Sequence, residues 1–285
     1  MSKIGFIGLG TMGLPMAINA AKAGLDLMVF NRTQAKAKTV LEAGAKVAES
    51  PEALLKWADE LVIMLTGPQA IEDTLGPILR DKPELFEGKL VVNMGTNPPD
   101  YAKDLEERLQ AVGAAFVDSP VFGSKEPAEQ GALIVLASGP VGALERMAPL
   151  YDAVGDKTIN CGEVPKASMM KLAVNLVTVA AGEGLAEGVH FAQKGGLDLQ
   201  TFLGLILNGP VGNAFFAMKA EKYLKEDYSE QASIGTVHEM LKHVVDTAHN
   251  LKACIPNTLS NLNLITRAVN QGLAQEDACA IIKVL

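Results

Sequence analysis

The sequence predicts an α/β fold in which a doubly wound parallel sheet is followed by an all-α domain, with a long interdomain helix joining the two. From Lys3 to about Cys161, short runs of valine, isoleucine and leucine alternate with helical segments. That alternation is typical of a parallel sheet with helices on both faces. After Cys161 the strand pattern stops and the sequence is helical almost to Leu285. We therefore place the domain boundary between residues 162 and 163, giving domains 1–162 and 163–285.

The predicted strands are mostly uninterrupted apolar runs, as expected for strands buried on both faces. They are Ile4–Ile7, Leu27–Phe30, Leu61–Leu65, Leu90–Asn93, Phe116–Val121, Leu133–Ala137 and Thr158–Asn160. Helical stretches lie between and after them, among them 12–23, 34–43, 98–112, 199–207, 215–224, 238–251 and 259–271. The longest helix is expected from Pro165 to about Lys194, since proline suits a first helical position and Gly195-Gly196 follows.

Composition narrows the classes of function. The chain has 285 residues, is 48% hydrophobic and carries a net charge of -8, so nucleic acid and anionic membranes are not expected partners. Its three cysteines lie far apart and form no CxxC, which suits a reducing, cytoplasmic setting. The first residues lack the features of a signal peptide, and segment 172–192 is too polar for a membrane span. We expect no metal, because His238 and His243 fall on different helical faces.

A glycine-rich turn follows the first strand directly. The sequence Gly8-Leu9-Gly10-Thr11-Met12-Gly13 has the form GxGxxG and opens a helix. In such a turn the glycines permit a tight bend, close approach of the backbone to a pyrophosphate, and close packing of helix on strand. Glycines between a strand and a helix can also mean nothing more than a tight turn. Their position here, within a βαβ unit, favours dinucleotide binding. Domain 1–162 is therefore predicted to be a Rossmann-type dinucleotide-binding domain.

The end of the second strand bears on which dinucleotide binds. NAD sites place a carboxylate there for the ribose 2′-hydroxyl, whereas this chain has Asn31-Arg32-Thr33. Arg32 offers a guanidinium to a 2′-phosphate, and the Thr33 hydroxyl can add a hydrogen bond. Alternatively, Arg32 is a solvated arginine and Thr33 caps the next helix. The motif favours NADP(H) over NAD(H).

Two polar residues stand out on the longest predicted helix. Lys171 and Asn175 are four residues apart, so they share one face of an otherwise apolar helix. Burial of an ammonium is costly unless a polar group faces it, so this face is expected to line a site. The alternative is an interdomain salt bridge from Lys171, with Asn175 capping a loop.

Several motifs occur together in one order: the glycine-rich turn continuing through Leu14-Pro15-Met16-Ala17, then Asn93-Met94-Gly95-Thr96, Asp118-Ser119-Pro120-Val121 with Gly123, and Lys171 with Asn175. Over essentially its whole length the chain resembles the β-hydroxyacid dehydrogenase family. The segment Ser124-Lys125-Glu126-Pro127-Ala128-Glu129 is most similar to the branch of glyoxylate and succinic semialdehyde reductases, for which the resemblance implies NADPH.

The resemblance also implies roles for individual residues. Lys171 matches the general acid, Asn175 the residue that orients the substrate, and Thr96 a residue near the nicotinamide ribose. The turn Phe122-Gly123-Ser124, with Lys171 and Asn175, matches the substrate-binding set, in which backbone N–H groups of the turn hold a carboxylate. The residues assigned to the cofactor are Gly8, Gly10, Thr11, Met12, Gly13, Asn31, Arg32, Thr33, Leu65 and Thr96.

The expected function is NADPH-dependent reduction of a small aldehyde or 2-oxo acid that carries a carboxylate, in the interdomain cleft of a homo-oligomer. Alternatives are a 3-hydroxyisobutyrate-type dehydrogenase, an imine reductase-like enzyme, and a catalytically silent NADP-binding interaction module. The imine reading is suggested by Phe122, which replaces the family's serine, and by the family's C-terminal Lys-Asp pair, which we do not find near His238. Retention of Lys171 argues against the imine alternative, and retention of both Lys171 and Asn175 argues against the silent module.

Overall fold

The computed structural model describes residues 2–285, apart from the side chain of Gln34. The chain forms two compact units, which divide between Lys171 and Leu172. The boundary expected from the sequence, at 162/163, precedes this division, and as a domain boundary it stays a prediction. Each unit is described by itself below.

The first unit is built on one sheet of nine strands. The strands are β1 Ile4–Ile7, β2 Leu27–Phe30, β3 Lys46–Val47, β4 Glu60–Ile63, β5 Leu90–Asn93, β6 Ala115–Asp118, β7 Val121–Phe122, β8 Leu133–Ser138 and β9 Gly155–Gly162. Strands β3-β2-β1-β4-β5-β6 are parallel neighbours in that order, which is the strand order of a Rossmann fold. The predicted Rossmann-type, mostly parallel sheet is therefore confirmed.

The far edge of the sheet differs from the prediction. Strand β8 runs antiparallel to β6 and β7, while β9 runs parallel to β8. The expected strand 116–121 is broken after Asp118, since Pro120 has no N–H for a ladder hydrogen bond. The short strand β3 carries too few residues to show an apolar pattern and was not predicted.

Helices of the first unit cover both faces of the sheet. They are α1 Gly13–Lys22, α2 Ala37–Glu42, α3 Pro51–Trp57, α4 Gly67–Asp81, α5 Pro99–Ala111, α6 Lys125–Gln130 and α7 Val141–Val154. Successive strand residues enter two different cores, because side chains alternate between the faces of a strand. Phe6 and Val62 lie in one core, and Ile7 and Ile63 lie in the other.

The second unit is helical, as predicted. Its helices are the greater part of α8 Lys166–Lys194, then α9 Leu199–Asn208, α10 Ala214–Lys225, α11 Ile234–Leu251 and α12 Pro256–Asn270, followed by a 3₁₀ segment, Ala278–Val284. Its core includes Leu185 and Val189 of α8 and Leu241 of α11. A buried ion pair joins Lys219 Nζ to Asp277 Oδ1 at 2.7 Å.

Helix α8 is, by length and composition, apolar enough to cross a membrane, with a mean hydropathy of 1.3 in its most apolar stretch. A core helix of a folded domain meets the same criterion. Two buried ionisable side chains, Lys171 and Glu183, lie along it, and such groups are expensive in a bilayer. We therefore keep the prediction that α8 is not a membrane span.

Candidate active site

The glycine-rich turn has the geometry that a pyrophosphate cradle needs. A Cβ at Gly8, where φ is +103°, would lie 2.2 Å from the carbonyl oxygen of Met64, and one at Gly13 would lie 2.0 Å from that of Gly8. These two positions therefore accept only glycine, for the bend and for the close packing of α1. A Cβ at Gly10 would meet no described atom within 4 Å, so this exposed stretch of backbone is open to a ligand.

The start of helix α1 faces that turn. Among the described residues, no side chain caps its first N–H groups, and Met12 occupies the cap position. Free N–H groups at a helix N-terminus attract phosphate through hydrogen bonding and the helix dipole. The exposed Thr11 and half-buried Met12 stand at this end. The turn and the helix together fit a dinucleotide pyrophosphate.

Asn31 has a structural part in the cofactor site. Its Oδ1 accepts a hydrogen bond from the N–H of Leu9 at 2.9 Å, and its Nδ2 donates to the carbonyl oxygen of Thr33 at 2.9 Å. The side chain thus ties the glycine-rich turn to the end of β2. Arg32 and Thr33 lie beside it and are exposed, so their side chains are accessible to a ribose phosphate.

The ends of β4 and β5 lie next to each other. Leu65 follows β4, and its Cδ2 lies 3.0 Å from the position that a Cβ at Gly8 would take. Its carbonyl oxygen lies 2.5 Å from a Cβ built on Gly95, so a glycine is required there as well. Thr96 is the half-buried residue that follows. Leu65 thus lies at the glycine-rich turn, and Thr96 lies one strand further along the same edge of the sheet.

Lys171 lies in the second turn of α8 and is only 7% exposed. Burial lowers the pKa of its ammonium to about 8. Its Nζ lies 5.0 Å from the centre of the Phe122 ring, within the range of a cation–π contact. Within the described residues of the first unit, no carboxylate lies at ion-pair distance from Lys171 Nζ.

A buried polar network holds the first turn of α8. Asp118, at the end of β6, accepts hydrogen bonds from the N–H of Ser168 at 2.8 Å and from Asn93 Nδ2 at 3.3 Å. The Oγ of Ser138 accepts from the N–H of Ala167 at 3.2 Å. Burial raises the pKa of the Asp118 carboxyl to about 6. This network fixes the helix that carries Lys171 to the ends of three strands.

The other predicted substrate residues are placed as follows. Gly123, with φ of +141°, is exposed, and Ser124 is half-buried at the start of α6. Asn175 is half-buried, one turn beyond Lys171 on α8. The structure brings Phe122 and Lys171 into contact, and it places Gly123 and Ser124 directly after Phe122.

Sequence reasoning assigned no role to Asp118, Asn93 or Ser138. Asp118 stands in a motif that carried the family resemblance, and Asn93 ends a predicted strand, whereas Asp118 lies inside the predicted strand 116–121. Polar side chains at the carboxyl ends of neighbouring parallel strands meet at one edge of the sheet. That signal was present for Asn93 but not for Asp118, whose place at a strand end became evident only in the structure.

Helix α11 holds the segment in which we expected no Lys-Asp pair. His238 Nε2 lies 3.1 Å from Thr266 Oγ1, and Lys242 forms an ion pair with Glu239 at 3.0 Å. The segment thus contains a lysine, followed by His243 rather than aspartate. In the part of the chain that the structure describes, no group of three metal-ligating side chains could hold a metal ion.

A Rossmann strand order with this glycine-rich turn is the arrangement of a dinucleotide-binding protein. Two family models match the chain: the NAD binding domain of 6-phosphogluconate dehydrogenase over residues 3–162, and the NAD-binding domain of NADP-dependent 3-hydroxyisobutyrate dehydrogenase over residues 166–285. Between them they cover nearly the whole chain.

Similar proteins include two from Arabidopsis thaliana. Glyoxylate/succinic semialdehyde reductase 2, chloroplastic, is 31% identical over 99% of this chain and 79% of its own length, and glyoxylate/succinic semialdehyde reductase 1 is 30% identical over 99% and 97%. A solved 3-hydroxyisobutyrate dehydrogenase from Salmonella typhimurium has a TM-score of 0.90 at 26% identity, with 100% of both chains covered. The chain belongs to the β-hydroxyacid dehydrogenase family of NAD(P)-dependent oxidoreductases that act on the hydroxyl and carbonyl groups of hydroxy acids.

Proposed function

We propose that this protein is an NADPH-dependent reductase of small aldehydes or 2-oxo acids that carry a carboxylate, with Lys171 as the general acid. The observation that carries this proposal is the buried ammonium of Lys171, which has a pKa near 8. Such a group is charged at neutral pH yet holds its proton loosely enough to transfer it. A lysine that served only in packing could bury its methylene chain and leave its charged amine in solvent.

The proposed chemistry uses few groups. The reduced nicotinamide, when bound, supplies the hydride. Lys171 donates a hydrogen bond from Nζ to the carbonyl oxygen, stabilises the negative charge that develops there, and gives up a proton to form the alcohol. In the opposite direction the neutral amine takes the proton from the hydroxyl.

The remaining site residues bind and orient. The amide of Asn175, one turn from Lys171, is proposed to hold the substrate in register with Nζ. The turn at Gly123 and Ser124 is proposed to bind the substrate carboxylate through backbone N–H groups. Support comes from the 5.0 Å contact between Lys171 and Phe122, the residue that begins this turn.

We propose NADPH rather than NADH as the preferred cofactor. The end of β2 presents Arg32, exposed, and no carboxylate that would repel a 2′-phosphate. Arginine binds phosphate through a planar pair of N–H donors. A preference for NADH of tenfold or more in kcat/KM would refute this assignment.

Turnover with a substrate panel tests the function. Purified protein with NADPH is given short aldehydes and 2-oxo acids with and without a carboxylate, and NADPH oxidation is followed by absorbance. We expect turnover of at least one carboxylate-bearing member. If NADPH raises the melting temperature but no carbonyl compound is reduced, the reductase assignment is wrong and a silent NADP-binding module is favoured.

We further propose that the protein is a cytoplasmic homo-oligomer, in which α8 packs against a second copy. Val177 and Phe191 of α8 are 65% and 78% exposed, and a Cβ at Gly184 between them would meet no described atom within 4 Å. These three positions repeat every seven residues and so form one apolar stripe. Light scattering should give a molar mass that is a multiple of 30.1 kDa. The variant Phe191→Glu should have a lower molar mass than wild type. A wild-type monomer at micromolar concentration would contradict the proposal.

A further inference from the structure

The amine of Lys171 lies beside an aromatic ring. The Phe122 ring centre lies 5.0 Å from Lys171 Nζ. Phe122 is held in β7, where it pairs with Ile134 of β8, and the chain turns immediately after it. Gly123 has φ of +141°, which favours glycine, and a Cβ built there would lie 2.6 Å from Leu133 Cδ2. The position of the ring is therefore set by the backbone of a strand pair.

On the basis of the proposed function, we infer that Phe122 is a specificity-determining residue that selects ω-oxo acids, whose carboxylate is separated from the carbonyl by methylene groups, over oxo acids with the carboxylate on the carbonyl carbon. A carbonyl oxygen that accepts a hydrogen bond from Lys171 lies about 3 Å from Nζ. In the proposed pose the substituent next to the carbonyl lies beside the Phe122 ring, whose centre is 5.0 Å from the same Nζ. That neighbouring group decides how well the substrate fits.

An adjacent carboxylate fits this position poorly. The face of a phenyl ring carries partial negative charge, and it offers no hydrogen bond to replace the water that a carboxylate loses. Such a carboxylate would also compete with the carbonyl oxygen for the one ammonium of Lys171. A methylene group in the same place makes a favourable apolar contact.

A distant carboxylate avoids both penalties. Two methylene groups place it about 4 Å from the carbonyl carbon, given C–C bonds of about 1.5 Å. That length allows it to pass the ring and reach the turn at Gly123, which is exposed, and Ser124, which is half-buried. Lys171 then remains free for the carbonyl oxygen.

The test compares wild type with Phe122→Ser and Phe122→Leu on succinic semialdehyde, glyoxylate and butanal, with saturating NADPH. Wild type is expected to favour succinic semialdehyde over glyoxylate in kcat/KM by about tenfold or more. Phe122→Ser, which supplies a hydroxyl donor and removes the ring, should lower that ratio about tenfold through a gain with glyoxylate. Phe122→Leu keeps an apolar neighbour and should hold the ratio within about threefold of wild type.

The inference is overturned if the ratio of kcat/KM for succinic semialdehyde to that for glyoxylate in Phe122→Ser stays within twofold of wild type. It is also overturned if Phe122→Leu changes this ratio as much as Phe122→Ser does. Unaltered NADPH affinity and melting temperature in both variants show that each is folded. Failure of the proposed function looks different. In that case wild type binds NADPH but reduces none of the three carbonyl compounds, whereas failure of this inference alone leaves turnover with an unchanged ratio.

Discussion

The carboxylate of Asp118 accepts a hydrogen bond from the backbone N–H of Ser168 at 2.8 Å, three residues before Lys171. This contact joins the end of β6 to the first turn of α8, and Asp118 is fully buried. Since the helix is rigid over one turn, the position of Lys171 Nζ depends on this anchor. Asp118 is therefore a positioning residue for the proposed proton donor.

Removal of that anchor should impair turnover more than cofactor binding. In Asp118→Ala the buried N–H of Ser168 loses its acceptor, so we expect kcat to fall about tenfold and the free energy of unfolding to fall by about 1–3 kcal/mol. Asp118→Asn retains an acceptor and should recover most of kcat. The measurement is kcat and KM for all three proteins at fixed NADPH. An unchanged kcat in the alanine variant would show that Asp118 does not position Lys171.

The rate of reduction should depend on pH through Lys171. Burial lowers its pKa to about 8, so the proton that the reaction needs is lost as pH rises through 8. Reduction is expected to decline above pH 8, and alcohol oxidation to increase over the same range. Steady-state kcat/KM measured from pH 6 to 10 in both directions checks this. If kcat/KM changes in the same sense with pH for reduction and for oxidation, a group other than Lys171 is responsible for the titration.

The second unit contains a carboxyl group that destabilises the native state at alkaline pH. Glu183 is 6% exposed, and neither of its carboxylate oxygens has a hydrogen-bond partner within residues 2–285. Burial and the nearby Glu187 raise its pKa to about 8. The folded state therefore holds a proton that the unfolded state releases near pH 4.5, and stability falls as pH rises from about 4.5 to 8.

Replacement of Glu183 by glutamine should remove this pH dependence. We expect Glu183→Gln to be at least about 1 kcal/mol more stable than wild type at pH 8 and to differ less at pH 5. Glu187→Gln, an exposed change one turn away, is the matched control and should have less than half the effect. Urea unfolding at the two pH values gives the comparison. Equal stability of wild type and Glu183→Gln at both would contradict a buried, proton-holding carboxyl group.

Arg32 should determine the cofactor preference. Arg32→Asp places a negative charge where the 2′-phosphate is proposed to bind, so kcat/KM for NADPH should fall about 100-fold while that for NADH changes little. Arg80→Ala, at an exposed arginine paired with Asp81 on α4, serves as control. Steady-state kinetics of wild type and both variants give the ratio of kcat/KM for NADPH to that for NADH. If Arg32→Asp loses activity equally with both, Arg32 does not recognise the phosphate.

The sequence predicted the features that depend on neighbouring residues. The spacing of Gly8, Gly10 and Gly13 is a local pattern, so it predicted the glycine-rich turn, whereas the contact of Gly8 with the Met64 carbonyl oxygen was not evident from it. The apolar surroundings of Lys171 in its own helix likewise predicted its burial. Both follow from periodicity and from the conformational freedom of glycine.

Other features depend on residues that are distant in sequence. The bond between Asp118 and Ser168 spans 50 positions. The antiparallel direction of β8 is settled by which strands it pairs with, and no pattern within Leu133–Ser138 encodes that choice. The Phe122 ring beside Lys171 likewise follows from the tertiary fold.

Lys171→Met tests most directly whether Lys171 supplies the proton, because methionine keeps an apolar side chain of similar length without the charge. The measurement pairs kcat for reduction with the NADPH dissociation constant from fluorescence titration. We expect kcat to fall by about 10²–10⁴-fold, with the dissociation constant within twofold of wild type. A kcat within tenfold of wild type would show that Lys171 is not the proton donor.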